Sequence, residues 1–140
     1  MRSLLLSFFA SVLLTAPAVA QTHFTAQPTV AQIETSDILL VDIRRPQEWL
    51  ETGVLPGAVL LTYEHFETPE AFIAALEPHL RPDQPIALIC RTGSRTSRAA
   101  PALAARLDVP VIDLGGGMFR LMAGGYRPER PTAAQGCTIC

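Results

Sequence analysis

The segment Ile86-Ala87-Leu88-Ile89-Cys90-Arg91-Thr92-Gly93-Ser94-Arg95-Thr96-Ser97 changes character twice within twelve residues. It opens with four uninterrupted apolar residues, as expected of a strand buried on both faces. A polar loop with one glycine follows, and from Thr96 to Leu107 the alanine-rich composition predicts a helix. A buried strand that passes through a short loop into a helix is a unit of parallel-sheet architecture.

The flanking sequence extends that pattern. Ile38–Val41, Ala58–Leu61 and Val109–Leu114 read as further apolar strands. Val30, Ala31, Ile33 and Glu34 suit a short helix. Thr68-Pro69-Glu70 has an N-cap residue, a proline for the first turn and an acid for the positive helix end. Phe72, Ile73 and Leu76 give that helix its apolar side, and Pro78 helps to stop it. Pro82 and Pro85 frame the turn into Ile86. Gly115-Gly116-Gly117 opens a short helix through Ala123, which Gly124-Gly125 ends. The fold class expected is α/β, a central parallel sheet of about five strands with helices on both faces.

Four segments are expected: a signal peptide at 1–20, a polar lead-in at 21–28, one domain at 29–127 and a tail at 128–140. Met1-Arg2 precedes an apolar run from Leu4 to Leu14, and Ala18-Val19-Ala20 has the small-x-small form of a cleavage site. The competing reading, an uncleaved membrane anchor, is disfavoured by the shortness of the run. Periplasmic or secreted localisation is therefore expected, with no stable membrane insertion after cleavage near Ala20.

Composition removes several classes. The chain has 140 residues, a formal net charge of -2 and 49% hydrophobic residues, so neither general nucleic-acid attraction nor disorder is expected. All eleven basic residues are arginine. Without lysine there is no Schiff-base or P-loop chemistry. Three cysteines are too few for a disulfide scaffold or a tetrathiolate metal site, and no metal or other cofactor is expected.

Cys90 is delivered to the carboxyl end of a buried strand, where open α/β sheets place their ligands. Loop and helix amides there can converge on an anion, and Gly93 permits the tight curl this needs. Arg91, Arg95 and Arg98 add positive charge. Such surroundings favour the thiolate, a nucleophile that requires no adjacent base. His23, His65 and His79 form no cysteine–histidine motif. Cys90 is the expected catalytic residue, and Arg91, Thr92, Gly93, Ser94, Arg95 and Thr96 the expected substrate-binding loop. Protein tyrosine phosphatases place arginine six residues after their cysteine. Here that position is Thr96, and the arginine arrives one residue early, which favours a sulfur-sized passenger over a phosphate ester.

Three ordered motifs carry a family resemblance from about Thr29 to Arg127. Val41-Asp42-Ile43-Arg44, Glu48-Trp49 and Gly53-Val54-Leu55-Pro56-Gly57-Ala58 form the first; Cys90–Thr96 is the second. The third runs from Leu114-Gly115-Gly116-Gly117-Met118 to Gly124-Gly125. Together they resemble single-domain rhodaneses, the sulfurtransferases. The departures are Val54, Leu121 and Arg127, where the family often has histidine, tryptophan and proline, and Pro101 inside the helix after the loop. The resemblance implies two-step transfer of a sulfane sulfur from thiosulfate or a related donor to cyanide or a thiol through a Cys90 persulfide. Alternatives are a non-catalytic sulfur carrier or partner-binding module, and a related phosphatase or arsenate reductase. Asp42 is expected to bond loop N–H groups, and Arg44 to pair with Glu48 rather than approach the pocket.

Cys137-Thr138-Ile139-Cys140 stands apart from those motifs. It reads as a tail disulfide, as a redox pair that resolves the Cys90 persulfide with help from a thioredoxin-like reductant, or, least favoured, as half of a metal site shared between chains. The thirteen residues after Arg127 extend about 40 Å at ~3.3 Å each, so a free tail would reach Cys90.

Overall fold

The computed structural model describes residues 22–140; the signal peptide expected at 1–20 lies outside the described residues. Five strands, β1 (His23–Ala26), β2 (Leu39–Asp42), β3 (Val59–Leu60), β4 (Ile86–Ile89) and β5 (Val111–Leu114), form one sheet of order β1-β5-β4-β2-β3. Every pairing is parallel. The helices are α1 (Val30–Glu34), α2 (Pro46–Thr52), α3 (Pro69–Leu76), α4 (Thr96–Ala104) and α5 (Gly117–Ala123). The α/β class and the parallel five-stranded sheet are as expected.

Side-chain alternation along the strands divides the core. Ala87 and Ile89 join Leu40, Ile33 of α1, Trp49 of α2 and Met118 and Leu121 of α5 on one face. Ile86, Leu88 and Cys90 join Val41, Phe72 and Leu76 of α3 and Ala99, Ala100 and Leu103 of α4 on the other. Both faces of β4 are therefore apolar, which is why its sequence is continuous rather than alternating. Val54 and Leu121, two of the departures from the family pattern, are buried hydrophobic positions. Thr68 caps α3 as expected, its hydroxyl accepting from the Ala71 N–H at 3.2 Å.

Three expectations need correction. Residues 21–28 are not merely a lead-in: His23–Ala26 is the edge strand, in register with Val111–Leu114. Its side chains are mostly exposed, so the pattern carried no hydrophobic signal; pairing with β5 alone makes it a strand. Secondly, α2 was not anticipated, although Pro46 occupies its first turn and Glu48 caps it by accepting the Arg45 N–H at 3.0 Å. Thirdly, 128–140 is not a free tail. Val54 and Glu129 form an antiparallel bridge, Gln135 donates to the Leu55 carbonyl, and Cys137 is buried in the same core cluster as Trp49 and Leu60. The 40 Å reach therefore does not apply to the docked chain.

Candidate active site

From β2 the chain runs first to β3 on one side, then returns through α3 to β4 on the other. The gap between the carboxyl ends of β2 and β4 is thus the topological switch point, the place where such sheets bind ligands. A cleft of about 570 Å³ lies there. Arg45, Gln47, Glu48 and Glu51 wall it from the β2 side, Arg91, Ser94 and Arg95 from the β4 side.

Cys90 follows β4 directly and is only 1% exposed. The Gly93 N–H donates to its Sγ at 3.1 Å, and the Thr96 hydroxyl lies 3.7 Å from the same sulfur. Thr96, the first residue of α4, is itself buried and donates to the Gly93 carbonyl at 3.0 Å. The loop thereby curls over the thiol, and φ of +92° at Gly93 explains why glycine occupies its apex.

The glycine triplet does more than open α5. Met118 and Phe119 donate their N–H groups to the Cys90 and Arg91 carbonyls. A Cβ on Gly117 would sit 2.3 Å from the Cys90 carbonyl oxygen, and one on Gly93 would sit 2.9 Å from the Gly116 nitrogen. Two glycine-bearing loops press together, so the start of α5 holds the cysteine loop from behind.

The arginines have separate tasks. Arg95 is held by Glu48 through two hydrogen bonds of 2.6 and 2.7 Å, so it anchors the loop to α2 instead of pointing a free charge at a ligand. Arg45 pairs with Glu64. Arg91 stacks on Phe119, its guanidinium carbon 4.7 Å from the ring centre, and the Arg98 side chain donates to the Ser94 carbonyl. Neither Arg91 nor Arg98 is paired with a carboxylate among the described residues; Arg91 brings its open charge to the cleft, and Arg98 stands on the first turn of α4 outside its lining.

Burial by itself would push the Glu48 carboxyl up. The Arg95 hydrogen bonds, the Arg45 N–H and the guanidinium charges of Arg95 and Arg44 outweigh it and hold the carboxyl below its ordinary value. The Arg95 guanidinium is correspondingly raised, chiefly by its hydrogen bonds to Glu48. A carboxyl depressed in the folded state contributes stability above its unfolded pKa and loses it as pH falls through the folded one. Glu48→Gln is therefore expected to lower stability at neutral pH, with the gap to wild type undiminished down to about 4.5 and closing below that. Paired unfolding curves at neutral pH and at about pH 3 check this; equal gaps at both would remove the charge from the argument.

Asp42 and Arg44, expected at the strand end, form a buried pair beneath the cleft. The Arg44 Nη2 lies 2.6 Å from an Asp42 carboxylate oxygen. Arg44 is structural as expected, but its ion partner is Asp42; from Glu48 it takes only the backbone carbonyl. Among loop N–H groups Asp42 accepts that of Arg44, at 3.1 Å. Sequence reasoning missed the Arg95–Glu48 pair, because nothing local links residues 47 positions apart.

Cys137 and Cys140 are joined in a disulfide and do not line the cleft. Cys137 belongs to the core on the sheet face opposite the one Cys90 faces.

A family model for the rhodanese-like domain matches residues 25–127. The chain belongs to the rhodanese-like family. Over 86 residues this rhodanese-like chain is 32% identical to a sulfurtransferase of Allochromatium vinosum, a match covering 61% of this chain and 73% of that protein. A rhodanese-like domain protein from Staphylococcus aureus superposes with a TM-score of 0.51 at 16% identity, over 71% of this chain and 90% of that one; the likeness is of fold alone. A protein of unknown function from Rhodopseudomonas palustris, described as a possible tyrosine phosphatase, gives a TM-score of 0.54 at 28% identity, covering 71% and 76%.

Proposed function

We propose that this rhodanese-like protein is a sulfurtransferase that carries sulfur on Cys90, taking it from thiosulfate or a related sulfane donor. Family membership and the sulfurtransferase relative support transfer of sulfur in general. The observation that carries the finer reading is the Cys90 Sγ buried under the Gly93 N–H at 3.1 Å, at the foot of α4. A nucleophile so enclosed suits a slender terminal sulfur better than a bulky ester.

In the first step the Cys90 thiolate attacks the outer sulfur of thiosulfate. A bond forms between Cys90 Sγ and that sulfur, the sulfur–sulfur bond of the donor breaks, and sulfite leaves with the electron pair. The product is a Cys90 persulfide anion, to which the loop amides offer hydrogen bonds. Cyanide or a thiolate then attacks the terminal sulfur, departs as thiocyanate or a persulfide, and returns the Cys90 thiolate. Arg91 and Arg98 attract the anionic donor without being consumed by internal ion pairs. The pair Arg95–Glu48 keeps the loop closed. The reading includes secretion across a membrane before folding, which suits a chain with a closed disulfide.

Phosphoester chemistry fits less well. Thr96 stands where the phosphatase arginine is required, and Arg95 is already committed to Glu48. Thiosulfate treatment is expected to release one sulfite per chain and add one sulfur atom to the peptide containing Cys90, removable by cyanide. An unchanged Cys90 peptide, together with hydrolysis of p-nitrophenyl phosphate, would transfer the assignment to phosphatases.

A further inference from the structure

The Cys137–Cys140 disulfide has no part in the chemistry proposed for Cys90. Its sequence separation is only 3, so it closes little chain entropy and is a weak staple. The chain that leads into it is already held without it. The Gln135 side chain accepts the Thr132 N–H, the Cys137 N–H donates to the Thr132 carbonyl, and Gly136 lies against the Leu60 carbonyl. Structure alone gives the bond little to do.

Its two sulfurs sit in contrasting places. Cys137 is 5% exposed, in the core with Trp49, Leu55 and Leu60. Cys140 is exposed and lines a surface hollow of about 340 Å³ with Leu50, Arg130, Pro131 and Ile139. Leu50 and Ile139 are each 51% exposed, two of four large hydrophobic residues so exposed among the described residues. Exposed Leu50 and Ile139 beside an exposed half-cystine, with the Arg130 cation at the same hollow, offer an attacking protein thiolate a place to dock.

We infer that Cys137–Cys140 is a thiol–disulfide exchange site for a protein dithiol, entered at Cys140 and docked on Leu50 and Ile139. The partner thiolate attacks the Cys140 sulfur, forming a mixed disulfide, and the bond to Cys137 breaks with Cys137 leaving as a thiolate that takes a proton from water. The partner's second thiolate then attacks its own sulfur in the mixed disulfide and releases Cys140. Two electrons pass from the dithiol, which is oxidised, to the tail pair, which is reduced. Cys137, held in the core as a small apolar residue, stays placed to close the bond again.

Direct resolution of a Cys90 persulfide by the docked pair does not fit the topology. Leu60, against which the tail packs, is in register with Asp42, and Asp42 with Ile89. That puts two strand spacings, roughly 10 Å, between the Leu60 and Ile89 backbones. The side chains of Cys137 and Cys90 then lie on opposite faces. The exchange site is independent of sulfur transfer.

The test uses the full oxidised protein and a thioredoxin whose second cysteine is serine, which stops the reaction at the mixed disulfide. The expected adduct maps to Cys140; no adduct, or one on Cys137 or Cys90, overturns the inference. Wild-type thioredoxin is expected to reduce the pair about 100-fold faster than glutathione does, followed by alkylation and mass spectrometry. Leu50→Asp/Ile139→Asp should slow thioredoxin at least about tenfold and leave dithiothreitol unaffected. Equal loss with both reductants, or with neither, removes the docking surface. Cys137→Ser/Cys140→Ser should abolish the adduct yet still load sulfur on Cys90. Failure to load sulfur in wild type counts against the sulfurtransferase reading only.

Discussion

Cys90→Ser is expected to lower thiosulfate-dependent sulfur transfer by at least about 10⁴-fold while leaving the fold in place. The two halves of that expectation have separate physical grounds. Serine at this position has no sulfur on which to carry a second one, and its hydroxyl is not ionised at neutral pH. The covalent route is closed, not slowed. The fold should survive because the Gly93 N–H that donates to Sγ can donate to a serine oxygen, and the Thr96 hydroxyl is there as a second partner. A buried hydroxyl with partners costs little. Sulfite release under saturating thiosulfate measures the first half, and thermal denaturation the second. A folded variant that still releases sulfite catalytically would show that another group carries the sulfur.

That prediction rests on the part of the molecule most legible in the sequence. Ile86–Ile89 could be read as a buried strand because both faces of β4 are covered, and Gly93 as a curl because its φ of +92° excludes most other residues. The less legible parts depend on partners far away in the chain. The side chains of β1 carry no core pattern, so only the neighbouring edge of β5 makes it a strand. Arg95 read as a free cation of the loop, and only the arrival of α2 turns it into an anchor held by Glu48. The final segment is poor in apolar residues, yet it docks through a backbone bridge at Val54, a Gln135 side-chain bond to the Leu55 carbonyl and one buried cysteine, none of which has a periodic signature. Local chemistry was readable; long-range capture was not.

Asp42→Asn is expected to destabilise the protein by about 3–5 kcal/mol, the cost of leaving a buried guanidinium without its counter-charge. Arg44 is 0% exposed and is among the largest fully buried side chains of the chain. All five of its guanidinium N–H donors have acceptors. Nε donates to both Asp42 oxygens, Nη1 to the Thr52 hydroxyl and the Glu48 carbonyl, and Nη2 to Asp42 and the Gly53 carbonyl. The hydrogen bonds to neutral groups orient the charge but do not neutralise it, so an amide in place of Asp42 leaves a buried cation without its directly bonded anion, with only the Arg95-paired Glu48 carboxylate acting on it. Arg44→Met removes the cation and strands the carboxylate instead. The double variant removes both charges, and it should be more stable than the sum of the single losses predicts, by at least about 2 kcal/mol. Urea unfolding of the four proteins gives that coupling directly. Strict additivity would mean that the pair acts by packing and not by charge. The same guanidinium ties the end of β2 to three backbone or side-chain groups of α2 and its carboxyl-terminal turn, and α2 supplies the Glu48 that holds Arg95. Loss of sulfur-transfer rate in Asp42→Asn should therefore exceed what its unfolded fraction accounts for, because the clasp on the Cys90 loop loosens before the domain unfolds.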